Sequence, residues 1–129
     1  MRPRHLFPLL LALFVGLLTS VVLAHHSTNG IYNEDELIEI TGTVSQWRFI
    51  NPHPSLFIEV TASDGQAQEW DVSYGGPAVP QLKRRGYTAD TFKPGDVIVV
   101  RGYAALVDTA FGLLIRGDPV NEDGSQILP

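Results

Sequence analysis

Cysteine is absent from this 129-residue chain. That excludes disulfide scaffolds, zinc ribbons, thiol nucleophiles and lipid attachment at a mature cysteine. Charge is sparse, with Asp, Glu, Lys and Arg making up 18% of residues. Cations are the scarcer kind, 9 Lys and Arg against 14 Asp and Glu, for a net charge of −5. Catalytic signatures are missing as well. No Gly-rich loop joins a strand to a helix with Lys-Ser/Thr, no His-Glu-x-x-His occurs, and no nucleophile motif is present. These absences argue against an enzyme. With 44% hydrophobic residues the chain is also no disordered polymer, and its length allows one domain.

Much of the apolar content is concentrated at the start. Arg2 and Arg4 precede a nearly unbroken run from Leu6 to Ala24. A cationic end, an apolar stretch and a small residue before polar His25-His26-Ser27 make a secretory signal over residues 1–24. An uncleaved anchor is the alternative, since about 17–25 apolar residues can span a bilayer. Cleavage after Ala24 leaves 105 residues with 7 basic and 14 acidic side chains, a net charge of −7. The mature protein is then periplasmic or secreted, without a membrane span. So acidic a chain lacks the basic footprint that nucleic acid demands. Lys83-Arg84-Arg85 reads as a solvated helix end complementing the helix dipole, not a phosphate site.

The mature chain divides into a polar arm, residues 25–36, and a β-rich domain, residues 37–129. The first strand, Leu37 to Phe49, carries Ile38, Ile40 and Val44 on one parity, then Trp47 and Phe49 on the other. A flat strand cannot switch faces, so a bulge is expected between Gly42 and Gln46. Asn51-Pro52-His53-Pro54 turns the chain. Strand two, Ser55–Thr61, sets Leu56, Ile58 and Val60 on one face and Phe57 on the other. After the Ser63-Asp64-Gly65 turn, strand three, Ala67–Tyr74, aligns Trp70, Val72 and Tyr74 on one face. Pro77–Arg85 has helical spacing, prolines at its start and Gly86 as its stop. Lys93-Pro94-Gly95-Asp96 launches strand four, Val97–Ala104, whose Val97-Ile98-Val99-Val100 predicts cover on both faces. A last strand is expected near Leu113–Arg116, followed by a tail with Asp123-Gly124. Three strands, one short helix, then two strands is the order of a five-stranded OB-like barrel, with a small sandwich as the alternative all-β fold.

These residues resemble a known family. His25-His26-Ser27 after a signal, Tyr32, Thr41-Gly42-Thr43-Val44, Trp47, Asn51-Pro52-His53 and Trp70 are similar to it. So are Leu82 with Arg85-Gly86, Lys93-Pro94-Gly95-Asp96, Gly102 and Asp123-Gly124. The resemblance is to domain-of-unknown-function family 6152, small exported bacterial proteins, over nearly the whole mature chain. It implies export and an all-β fold, and brings no established activity. Two positions depart from its pattern: Ser73 stands near an expected Glu, and Tyr87 where Trp is common.

Three mature histidines, His25, His26 and His53, are the candidate metal ligands. Cleavage after Ala24 frees an α-amine on His25 with a pKa of about 8, whose proton a metal ion displaces easily. That amine and the His25 ring can chelate one ion from a single residue, with His26 or His53 adding a nitrogen. Such a nitrogen set suits copper(II). The plain alternatives are a polar mature start for His25-His26 and a turn residue for His53. Glu34, Asp35 and Glu36 lack the loop pattern of a calcium site. Among aromatics, Trp47, Trp70 and Tyr74 follow inward parities and are expected in the core. Phe57 faces outward and is the candidate stacking surface for a sugar or other ring ligand. The reading that follows is an exported, non-enzymatic β-barrel binding module for an unknown small ligand or a metal ion, with copper as the candidate. The alternatives are an envelope protein–protein interaction or structural domain without metal and, furthest, a copper-dependent oxidase.

Overall fold

One strand decides the architecture. In the computed structural model, which describes residues 30–76, 78–107 and 111–128, β1 runs from Tyr32 to Arg48 and pairs with two different neighbours. Its first part is antiparallel to β4 (Val97–Ala105), and its second is antiparallel to β2 (Ser55–Thr61). Thr43 belongs to both ladders, opposite Glu59 on one side and Val97 on the other. Immediately after it the β1–β2 register slips between Val44 and Gln46, so Ser45 is the bulged residue. This is the face switch that the apolar parity requires.

The remaining strands close the ring. β2 and β3 (Ala67–Ser73) form a hairpin whose pairs run from Ser55–Ser73 to Thr61–Ala67. β3 is parallel to β5 (Gly112–Ile115), and β5 is antiparallel to β4. The cyclic order β1-β2-β3-β5-β4, with β4 returning to β1, is a closed five-stranded barrel of OB type. The helix α1 (Val79–Arg84) lies between β3 and β4 in sequence, as expected, with Pro80 in its first turn and Lys83 and Arg84 in its last. Its buried Val79 and Leu82 join the apolar interior.

Inward parities fill the core: Val44, Leu56, Ile58, Val72, Ile98, Val100, Leu113 and Ile115 are all buried. An aromatic cluster built on Trp47 continues it, with Phe92 at 5.2 Å edge-on, Phe49 at 5.3 Å and Tyr74 at 5.8 Å. The Trp47 indole N–H is satisfied by the Thr88 carbonyl at 2.8 Å. Trp70 is half-buried, packs against the core, and stacks obliquely on Phe111 at 5.7 Å.

Two expectations need correction. The apolar run of β4 is not covered on both faces: Ile98 and Val100 are buried, while Val97 is 40% exposed. The barrel's outside is open to solvent there, and Val99 is only half-buried. What partly shields Val99 is a strand the sequence did not announce, β6 (Val120–Asn121), which pairs with Ile98 and Val99. The Asp123-Gly124 tail is the turn of a small hairpin, in which Val120 bridges to Gln126. β1 also starts five residues earlier than the alternation predicts, inside the segment expected as an arm. Its ladder to β4 is irregular between Tyr32 and Leu37.

Barrel closure needs β4 and β5 in very close approach at Gly102, opposite Ile115. A Cβ on Gly102 would strike the Leu114 carbonyl oxygen and sit 2.8 Å from Leu113 Cγ. Both contacts belong to a rigid strand. Gly102→Ala is therefore expected to destabilise the fold by about 2 kcal/mol or more. Circular-dichroism melting should show the midpoint falling by on the order of 10 °C.

Candidate functional site

The hairpin β2–β3 presents its second face to water. Its connection, residues 62–66, is closed by Ala62 N–H to the Gln66 carbonyl (2.8 Å), Gly65 N–H to the Ala62 carbonyl (2.9 Å) and Gln66 N–H to the Asp64 carboxylate (2.9 Å). That turn fixes the register, so Phe57 stands directly opposite Asp71. On its other side Phe57 opposes Gln46 of β1, because the Ser45 bulge has shifted β1 by one residue. The row Gln46–Phe57–Asp71 therefore crosses three strands on one outer face, and Gly112 of β5 continues it.

Phe57 is half-buried, and the Arg48 guanidinium lies over its ring, 5.9 Å from the centroid. Around it the face is acidic. Glu59 opposes Glu69 directly, a like-charge pair that costs stability. Ser45 donates its hydroxyl to Glu69 at 2.9 Å. Partial desolvation raises the Asp71 carboxyl from its ordinary value, against the pull of Arg48 and with the push of Glu69. A carboxylate held where its charged form is disfavoured, beside an outward aromatic ring, is the kind of arrangement found at binding sites.

Two connections border the face. The β1–β2 turn adjoins its Arg48–Ser55–Ser73 edge. It contains Asn51, whose side-chain oxygen accepts the Val79 N–H at 3.2 Å, a cis Asn51–Pro52 peptide, and exposed His53. Across the sheet, the β4–β5 connection meets β3 where the Asp71 N–H donates to the Phe111 carbonyl at 2.9 Å.

His53 is thus on the rim of this face. His25 and His26 lie outside the described residues. Among the described residues no group of three His, Asp or Glu is placed to hold a metal ion. No helix among them is long and apolar enough to cross a membrane. The basic helix end has a structural use: Arg85 binds Asp118 at 2.6 Å, and the Tyr87 hydroxyl donates to the same carboxylate oxygen at 2.6 Å. This ties the end of α1 to the β5–β6 connection. Burial and the Asp118 hydrogen bond together push the Tyr87 hydroxyl's pKa well up, and burial does the same for Tyr74 beside it. Tyr87 is therefore a tether.

Sequence reasoning placed Phe57 on the surface and missed its neighbours Arg48, Asp71, Glu59 and Glu69. Counting outward from the Ser63-Asp64-Gly65 turn would have found Asp71. Arg48 and Gln46 needed the exact position of the bulge.

A family model described as a family of unknown function (DUF6152) matches residues 15–114. Among solved structures, the mitochondrial single-stranded DNA-binding protein Rim1 from S. cerevisiae is similar, with 16% identity and a TM-score of 0.45. The similarity covers 67% of this chain and 94% of that one. A likeness at this level adds nothing to the barrel traced above from its strand pairings. Among curated proteins, none matches the chain.

The Asp71 carboxyl gives a signed prediction. Below its ordinary value of about 3.9 it is neutral both folded and unfolded, and costs nothing. As pH rises above that value the unfolded chain ionises freely, whereas the folded state bears the desolvation cost of the charge or of keeping the proton. Asp71→Asn should therefore raise the melting midpoint at pH 7 by a small amount and leave it unchanged below pH 3. A fall at pH 7 would mean that the Arg48 attraction outweighs burial.

Proposed function

We propose, from the premise that the chain belongs to the family of unknown function DUF6152, that it is an exported, non-catalytic binding module. Its ligand lies on the outer face of β2 and β3. Export rests on the cationic, then apolar, start of the sequence up to Ala24. The observation that carries the binding reading is Phe57, an aromatic ring in the middle of the solvent face of the β2–β3 hairpin. That is the face on which OB-type barrels take oligonucleotides and oligosaccharides. Charge chooses between those ligands. Glu59, Glu69 and Asp71 surround the ring and repel phosphates, whereas carboxylates accept hydrogen bonds from sugar hydroxyls. The ligand class is therefore a neutral, polyhydroxylated ring compound that stacks on Phe57.

Titration with oligosaccharides of glucose and of N-acetylglucosamine, followed by amide chemical shifts, tests this. Shifts should centre on residues 46–48, 57 and 69–71. Phe57→Ala should weaken binding by about tenfold or more, roughly 1.4 kcal/mol, with the fold intact. Oligosaccharides that leave this face unshifted, or a Phe57→Ala variant that binds equally well, would overturn the proposal.

The copper reading rests on the sequence alone: the freed amine and ring of His25, with His26 or His53 as a further nitrogen donor. Intact mass should give an envelope protein that begins at His25. It should bind one equivalent of copper(II) and lose it on His25→Ala or on acetylation of the α-amine. A different first residue, or affinity no higher than that of a free His-His peptide, removes copper and leaves the β2–β3 face as the function.

A further inference from the structure

A second surface adjoins the Phe57 face across β5 and the β4–β5 connection but uses different side chains, so nothing inferred for it rests on that face. Ile31 and Leu106 are each 53% exposed, Val107 62% and Phe111 37%. Ile31 and Leu106 are neighbours, the Leu106 N–H donating to the Ile31 carbonyl at 2.8 Å, and Val107 follows; Phe111, its ring against Trp70, ends the same connection and leads into β5 where Gly112 lies beside Ala105 and Tyr32. Together they expose apolar surface on the order of 400 Å², the size of the largest patch on a typical monomer and often a functional one.

The irregular start of β1 supplies the border. Tyr32 pairs with Ala105 and Leu37 with Tyr103, so the four residues from Asn33 to Glu36 face the single residue Ala104. The extra length projects Glu34, Asp35 and Glu36 into water beside the apolar residues. An open cleft of about 310 Å³, lined by Gly30, Tyr32, Asn33, Glu34, Asp35 and Leu106, joins the acidic and apolar parts. Arg116 stands 3.8 Å from Glu34. Asp35 and Glu36 make no ion pair among the described residues.

We propose that this surface docks a basic amphipathic segment of another polypeptide, with its apolar side chains on Ile31, Leu106, Val107 and Phe111 and its cations against Glu34, Asp35 and Glu36. Charge selects this occupant. An acidic border repels anionic lipid headgroups, and a face-to-face second copy would bring two acidic bulges together. The patch is smaller than the roughly 800 Å² that each partner buries in a stable complex, so the association is weak and transient, in the micromolar range.

The probe is a synthetic Lys/Leu amphipathic helix, titrated into the isotope-labelled full protein, with a Glu/Leu helix of the same pattern as control. Amide shifts should cluster at residues 30–36, 106–107 and 111–112. Binding should weaken by about tenfold between about 0.05 and 0.5 M salt. Leu106→Ser with Val107→Ser should weaken it by about tenfold while the melting curve is kept, since both side chains are exposed. Asp35→Asn with Glu36→Gln should flatten the salt dependence. Equal binding of the Glu/Leu helix, shifts centred on Phe57 or spread over the molecule, or self-association in sedimentation without peptide would each overturn the proposal. So would tighter binding to phosphatidylglycerol vesicles than to the peptide.

Discussion

Everything in this barrel depends on one strand serving two partners. A straight β1 could pair with β4 or with β2 along its length, but not change from one to the other without exposing its apolar row. The bulge at Ser45 resolves the conflict. Up to Val44 the inward residues are Ile38, Ile40 and Val44. Beyond the bulge they are Trp47 and Phe49, which seed the aromatic cluster with Tyr74, Tyr87 and Phe92. The same slip sets Gln46 opposite Phe57 and leaves Arg48 over its ring, so closure of the core and assembly of the outer face share a cause.

The outer face is where the molecule departs from what stability alone would select. Glu59 faces Glu69, and Asp71 is held partly desolvated beside both an aromatic ring and a like charge. An aliphatic or hydroxyl side chain at any of these positions would suit an antiparallel ladder better. Where elements are tied together the charges are matched: Arg85 and Tyr87 share Asp118, and Arg101 meets Glu39 across the β1–β4 ladder at 2.5 Å. Matched charge where strands are tied together, and unmatched charge around Phe57, is a distribution that fits a surface selected for binding.

How much of this could be read from the chain follows from the range of each interaction. Alternation within a strand is local, so Leu56 and Ile58 inward and Phe57 outward were legible from seven residues. The helix between β3 and β4, the Lys93–Asp96 turn and the bulge near Ser45 were legible for the same reason. The structure's five-stranded closure agrees with the element order that suggested an OB-like barrel. What escaped depends on partners distant in sequence. Val97 looks like a residue covered on both faces until the shortness of β6 is known. Val120–Asn121 carries no strand signal of its own and pairs only because β4 offers a free edge. The acidic segment 33–36 reads as a polar arm, and it is a bulge only because Tyr32 pairs with Ala105 beyond it.

The two outward surfaces also differ in how they are held, and that bears on what each can do. Phe57 sits in mid-strand, with paired neighbours on both sides, so the face is preformed and a ligand bound there need not organise it. Ile31, Leu106 and Val107 sit where regular pairing ends: Ile31 precedes β1, and the other two follow β4. The one backbone bond described between them is Leu106 N–H to the Ile31 carbonyl. A rigid platform suits a ring-shaped ligand whose contacts must coincide with a fixed aromatic plane. Side chains on connections can repack around a helix of variable sequence, at some cost in affinity. A stable barrel with its charge excess directed to these two places can therefore carry a selective small-molecule face and a tolerant polypeptide face at once, without either requiring the other.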